Sequence, residues 1–124
     1  MSLATVTVKN HSSRDIYIDN DPNWDDQKLL LDDKPLRRGY TLQPDRSARI
    51  SVDWNGPGNA YMMGVIFADG PDYDYGDNGF YQLTIGQDED SGLLDVTEGG
   101  GEAKIAYAIG QQTPWSMTMD FADN

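Results

Sequence analysis

From Ala48 to Trp54 apolar and polar residues alternate one for one, with Ala48, Ile50, Val52 and Trp54 set against Arg49, Ser51 and Asp53. A period of two puts all the apolar side chains on one face only if the chain is extended, so this stretch reads as a strand with a dry side and a wet side. The same rhythm recurs along the chain. Ala4, Val6 and Val8 alternate with Thr5, Thr7 and Lys9; Ile16 and Ile18 with Asp15, Tyr17 and Asp19; Tyr81, Leu83 and Ile85 with Gln82 and Thr84. Later, Ala103, Ile105, Tyr107 and Ile109 alternate with their neighbours, and Trp115, Met117, Met119 and Phe121 with Ser116, Thr118 and Asp120. No segment keeps a helical period. The expectation is an all-β chain: an antiparallel β-sandwich of eight or nine short strands, forming one domain over residues 1–124.

Turn signals divide the runs. Asn10-His11-Ser12-Ser13 reads as the loop of a first hairpin, and Pro44-Asp45-Arg46-Ser47 as the turn into the Ala48 strand, since proline presets one corner and the small polar side chains bond nearby amides. Asn55 to Asn59 reads as the turn of a central strand pair whose second member, Ala60 to Ala68, is apolar on both faces: Tyr61, Met63, Val65 and Phe67 on one, Met62 and Ile66 on the other. Such a strand lies inside stacked sheets or presents a patch to something apolar, another subunit included. Gly99-Gly100-Gly101 reads as a flexible turn, and Gln27-Lys28-Leu29-Leu30-Leu31 as a short strand in preference to one helical turn.

Composition narrows the partners. The formal charge is −12 and the chain has no cysteine, which removes disulfides, zinc-thiolate sites and thiol nucleophiles together. Nucleic acids and strongly anionic lipid surfaces are excluded as principal ligands, because binding them draws on cationic side chains meeting phosphate. Neutral or zwitterionic lipids, sugars, cations and basic protein patches remain. The N-terminal residues lack a basic start followed by an apolar stretch, so the expectation is cytoplasmic synthesis without a Sec-type leader, with release to act outside the cell by another route.

Three groups of residues are candidate sites. Trp24 sits in a polar, acidic stretch rather than an alternating one, where an indole can dip into a bilayer interface. Between Asp69 and Asn78, Tyr73 and Tyr75 can stack on a sugar ring or a choline group, and Asp69, Asp72, Asp74 and Asp77 are hard-oxygen donors of the kind calcium takes, though the spacing is not that of an EF-hand. Trp54 and Trp115 share faces with core-type residues and are assigned to the interior. His11, the sole histidine, is read as a solvated turn residue; it has neither a second histidine for a metal nor an evident triad, and no enzymatic activity is expected.

The residue order around these strands resembles the aegerolysin family of small acidic β-sandwich proteins. The matching positions are Asn10, Ser13, Asp15, Ile16, Ile18 and Asn20, then Trp24 and Lys28-Leu29, then Gly39, Leu42, Pro44-Asp45 and Ile50. Gly58, Ala60, Gly64, Phe80-Tyr81 and the segment Ile105 to Gly110 continue the likeness. The resemblance implies non-enzymatic binding of membrane lipid, of the sphingolipid type in sterol-containing bilayers, and partnership with a larger perforin-like pore-forming protein, this chain being the targeting component of a two-component toxin. It places Trp24 near the lipid-facing loops. The departures are fewer tryptophans and the absence of cysteines, Val52-Asp53-Trp54 and Gln82-Leu83-Thr84 standing where family members often carry thiols. The alternative reading is a soluble calcium- or carbohydrate-binding module using the tyrosine-aspartate stretch.

Overall fold

The computed structural model describes residues 3–20, 29–36, 40–53, 62–70, 80–87, 91 and 93–123. Among them the only regular elements are strands, eleven in number: β1 (Leu3–Asn10), β2 (Ile16–Asn20), β3 (Leu30–Leu31), β4 (Lys34–Pro35), β5 (Tyr40–Leu42), β6 (Ser47–Asp53), β7 (Met62–Ala68), β8 (Phe80–Gln87), β9 (Leu94–Glu102), β10 (Ile105–Thr113) and β11 (Ser116–Asp123). They form a six-stranded sheet in the order β10-β11-β1-β6-β3-β4 and a five-stranded sheet in the order β5-β2-β7-β8-β9. The count exceeds the expected eight or nine because the two- and three-residue strands β4 and β5 are too short to show a period.

The alternating residues do what their spacing requires. Ala4, Val6 and Val8 of β1 are fully buried while Thr5 and Thr7 are partly exposed and Lys9 is exposed. One buried cluster takes Val6, Ile50, Ile105, Met119 and Phe121 from the larger sheet and Ile16, Ile18, Leu42, Val65 and Phe67 from the smaller. The rings of Phe67 and Phe121, one from each sheet, lie 4.9 Å apart between centroids. β7 is buried on both sides as expected, with Ile66 and Ala68 packing against Tyr17 on the face opposite Val65 and Phe67. Its edges are both occupied, by β2 and β8, so it is not a free edge for another subunit.

Strand pairing differs from expectation in four places. The larger sheet is mixed rather than antiparallel, because β1 runs parallel to β11 from Thr5 opposite Ser116 to Asn10 opposite Phe121. Parallel neighbours need a long crossover, and here nearly the whole chain supplies it. The expected first hairpin is absent: β1 pairs with β6 and β11, and β2 with β5 and β7, so Asn10 to Asp15 carries the chain from one sheet to the other. The central pair is likewise split, β6 and β7 lying in different sheets. The triple glycine is not a turn. Gly100 and Gly101 pair with Gln82 and Tyr81, while Glu98 pairs with Leu83, which leaves Gly99 as the extra residue of a bulge. A bulge needs the backbone freedom that glycine supplies. The turn comes two residues later, where the amide of Lys104 donates to Asp69 Oδ2 at 2.7 Å.

The β3–β4 turn breaks the usual turn chemistry. Leu31 pairs with Lys34 across the two residues Asp32 and Asp33, whose φ angles are 50° and 67°. Two left-handed residues in a two-residue loop define the turn that normally carries Asn-Gly. Here Arg49 holds it: its amide donates to Asp32 Oδ1 at 2.9 Å, its carbonyl accepts the Asp32 amide at 2.8 Å, and its guanidinium pairs with the Asp33 carboxylate. Asp33→Gly is therefore expected to stabilise the protein slightly. Relief of a left-handed non-glycine residue, about 1 kcal/mol, outweighs an exposed ion pair worth about 0.2–1 kcal/mol. Asp33→Ala keeps the strain and loses the pair, so in thermal melts Asp33→Gly should lie above the parent by about 2 °C and Asp33→Ala below it.

Candidate functional site

The strand directions give the molecule two ends. At one, the chain enters β1, leaves β6 at Asp53, enters β7 at Met62 and makes the β10–β11 turn. At the other lie the end of β1, the β5–β6 turn, Asp69 and the β9–β10 turn. The span of β7 puts them roughly 20 Å apart.

At the first end, Thr113 pairs with Ser116 across a two-residue turn, Pro114-Trp115. Proline suits the first corner, but the second requires a left-handed residue and is occupied by Trp115 at φ 71°. The Trp115 carbonyl accepts the Thr5 amide at 2.9 Å, which fixes the turn against β1. Its residue is 41% exposed, the most open large apolar side chain among the described residues. Leu93, also exposed, belongs to the same end: Gln112 Nε2 donates to the carbonyl of the next residue, Leu94, at 2.7 Å. This corrects the interior assignment of Trp115. The alternation Trp115, Met117, Met119, Phe121 holds only from Met117 onward, because Pro114 and Trp115 are both consumed by the turn. The readable signal was the proline; what hid it was the lack of a glycine after it.

The second end is organised by Asn10, which is fully buried. Its Nδ2 donates to the carbonyls of Arg14 at 2.8 Å and Leu42 at 2.9 Å, and its Oδ1 accepts the amide and hydroxyl of Ser12 at 2.9 and 2.6 Å. Its backbone ties the β5–β6 turn, the amide donating to the Arg46 carbonyl at 2.9 Å and the carbonyl accepting from the Asp45 amide at 2.7 Å. Beside it His11 Nε2 lies 3.2 Å from Asp120 Oδ1, with the imidazole exposed. Among the described residues no serine or threonine hydroxyl bonds to that ring. Asp123 accepts from the amide and hydroxyl of Ser13 at 2.9 and 3.0 Å, bonds that hold its carboxyl below the usual carboxylate range. Between the sheets, Tyr40 has its hydroxyl pushed up, first by burial and then by the neighbouring charge of Asp32.

Of the residues singled out from the sequence, Trp24, Tyr73, Tyr75, Asp72, Asp74 and Asp77 lie outside the described residues, as does Trp54. Their flanks nevertheless separate them. The described residues on either side of Trp24, Asn20 and Leu29, are at the Trp115 end, and those on either side of Tyr73 and Tyr75, Gly70 and Phe80, are at the Asn10 end. Asp69 is half-buried, and one of its oxygens serves the Lys104 amide. Among the described residues no three His, Asp or Glu side chains gather as a metal would require, and no helix is long and apolar enough to cross a membrane.

No protein-family model matches the chain, and no curated protein matches it.

Proposed function

We propose that this chain is a non-enzymatic membrane-lipid-binding protein with a β-sandwich architecture, directed at zwitterionic, sphingolipid-type surfaces and acting beside a larger perforin-like pore-forming partner. The observation that carries the membrane reading is Trp115: an indole held at a hairpin tip in a backbone conformation that bulky residues avoid. Strained positions persist where the surroundings enforce them and cluster at functional sites, and an indole at a rigid tip suits the interface between headgroups and acyl chains. Exposed Leu93 stands at the same end, as does Asn20, the last described residue before Trp24. The sandwich reading is supported by the one core that draws on both sheets. The lipid class and the perforin-like partner rest on the resemblance to aegerolysins alone. Tyr73 and Tyr75 lie outside the described residues, and their part in lipid binding rests on the sequence alone.

Burying the exposed part of the Trp115 indole, about 100 Å² of mostly apolar surface, is worth about 2.5 kcal/mol, or a factor of roughly 50 in partitioning. Co-sedimentation with vesicles of sphingomyelin and cholesterol, set against phosphatidylcholine and anionic vesicles, should show binding to the sphingolipid-containing set, and Trp115→Ala should weaken it by about that factor while far-UV circular dichroism is unchanged. Failure to pellet with every composition removes the proposal. The alternative, a calcium- or carbohydrate-binding module built on Asp69, Asp72, Asp74 and Asp77, predicts instead a rise in melting temperature with calcium that chelator reverses.

A further inference from the structure

The Asn10 end holds a cleft of about 210 Å³ lined by Lys9, Asn10, His11, Asp45, Arg46 and Ser47. In a chain of net charge −12 with nine lysines and arginines and one histidine, three of those ten basic residues line this one depression. We propose that the cleft binds a free phosphate-type oxyanion, with the Lys9 ammonium and the Arg46 guanidinium as its charge partners and Ser47 as a further donor.

Three observations support this. First, neither Lys9 nor Arg46 forms an ion pair among the described residues, while the nearest carboxylate of β11, Asp120, which sits opposite Lys9 in register, is turned to His11. Second, the frame is fixed before any ligand arrives. The Asn10 amide and carbonyl hold Arg46 and Asp45, the Arg46 amide donates to the Gln43 carbonyl at 3.2 Å, and the His11 amide donates to the Phe121 carbonyl at 2.7 Å. A site whose backbone is already tied loses little entropy on binding. Third, the donors match the acceptor: a planar fork, a point charge and a hydroxyl around a space suited to one tetrahedral group. Asp45 also lines the cleft, and its carboxylate opposes the anion, as does the charge of the chain as a whole. Asp120, against His11, opposes the anion too, so weak binding is expected.

The cleft faces away from the Trp115 end, so its occupancy is independent of the membrane reading. The test is a titration of the full ¹⁵N-labelled chain with inorganic phosphate at constant pH, following amide shifts. Saturable shifts are expected at Lys9, His11, Arg46 and Ser47, with Lys9→Gln and Arg46→Gln each weakening binding at least fivefold and Asp45→Asn strengthening it. All three positions are exposed, and unchanged melting temperatures would show intact folding. Shifts that stay linear to about 50 mM, that centre elsewhere, or that ignore these substitutions overturn the proposal. A second arm repeats vesicle co-sedimentation with Lys9→Gln: unchanged vesicle binding together with weakened phosphate binding supports a free oxyanion, whereas lost vesicle binding with a flat phosphate titration assigns the cleft to a lipid headgroup and overturns it.

Discussion

Phe121→Ala is expected to remove about 3–5 kcal/mol of stability, the cost of deleting a large buried ring together with the cavity it leaves. Phe121 is fully buried, stacks obliquely on Phe67 at 4.9 Å and lies 6.2 Å from the ring of Tyr107. It belongs to β11 and Phe67 to β7, so the contact joins the two sheets, and neither strand can move in to fill the gap without distorting the ladders on both its edges. A domain of this size has about 5–15 kcal/mol in total, so the variant should unfold at markedly lower urea while keeping a similar slope. A double-mutant cycle with Phe67→Ala should give a coupling of about 0.5–1.5 kcal/mol. A loss below about 1.5 kcal/mol for Phe121→Ala, or no coupling to Phe67, would mean that the sheets do not share this core.

Asn10→Asp should cost about as much, and its cost should depend on pH. The substitution keeps the shape but turns two donors, aimed at the carbonyls of Arg14 and Leu42, into acceptors facing acceptors. A buried, uncompensated carboxylate of this kind costs about 3 kcal/mol or more. Desolvation and the two carbonyls raise the carboxyl pKa in the folded state above its unfolded value. A raised folded value means that the native state binds the extra proton, so the variant is most stable below the unfolded pKa and loses stability as pH rises through the folded one. Urea unfolding across pH 4 to 8 should therefore show the gap to the parent widening with pH. Asn10→Ala, which leaves the same carbonyls unsatisfied without adding charge, should cost less at pH 7 and show no such widening. A pH-independent Asn10→Asp deficit would contradict the bonding described for this residue.

The inward faces were readable before any coordinates. Ala4, Val6 and Val8, Ile16 and Ile18, Ala48 and Ile50, Met117, Met119 and Phe121 all point where a period of two sends them. Pairing was not readable, since alternation specifies which face of a strand is dry and nothing about its neighbour. Asn10-His11-Ser12-Ser13 has the composition of a hairpin loop, yet the Asn10 side chain spends itself on Leu42, thirty-two residues away, and turns the chain into the other sheet. Gly99-Gly100-Gly101 and Pro114-Trp115 were misread for opposite reasons: glycines signal backbone freedom, which a bulge uses as well as a turn, while a turn that forces tryptophan into glycine's conformation gives no glycine to notice. The membrane-facing candidate thus came to light in the structure because it violates local preference. The cleft at Lys9, His11 and Arg46 draws on β1, the crossing loop and the β5–β6 turn, and no sequence window contains it.

The parallel contact between β1 and β11 bears on how the polypeptide is made. During synthesis β1 can find β6 on one side, but its other edge waits until β11, more than a hundred residues later, leaves the ribosome, exposing unpaired amides beside Ala4, Val6 and Val8. Pairing over so long a sequence separation is slow, and an open edge is the place where a nascent chain recruits a stray strand. Yield in the cell should accordingly be governed by holding that edge apart until β11 arrives, more than by the stability of the finished fold.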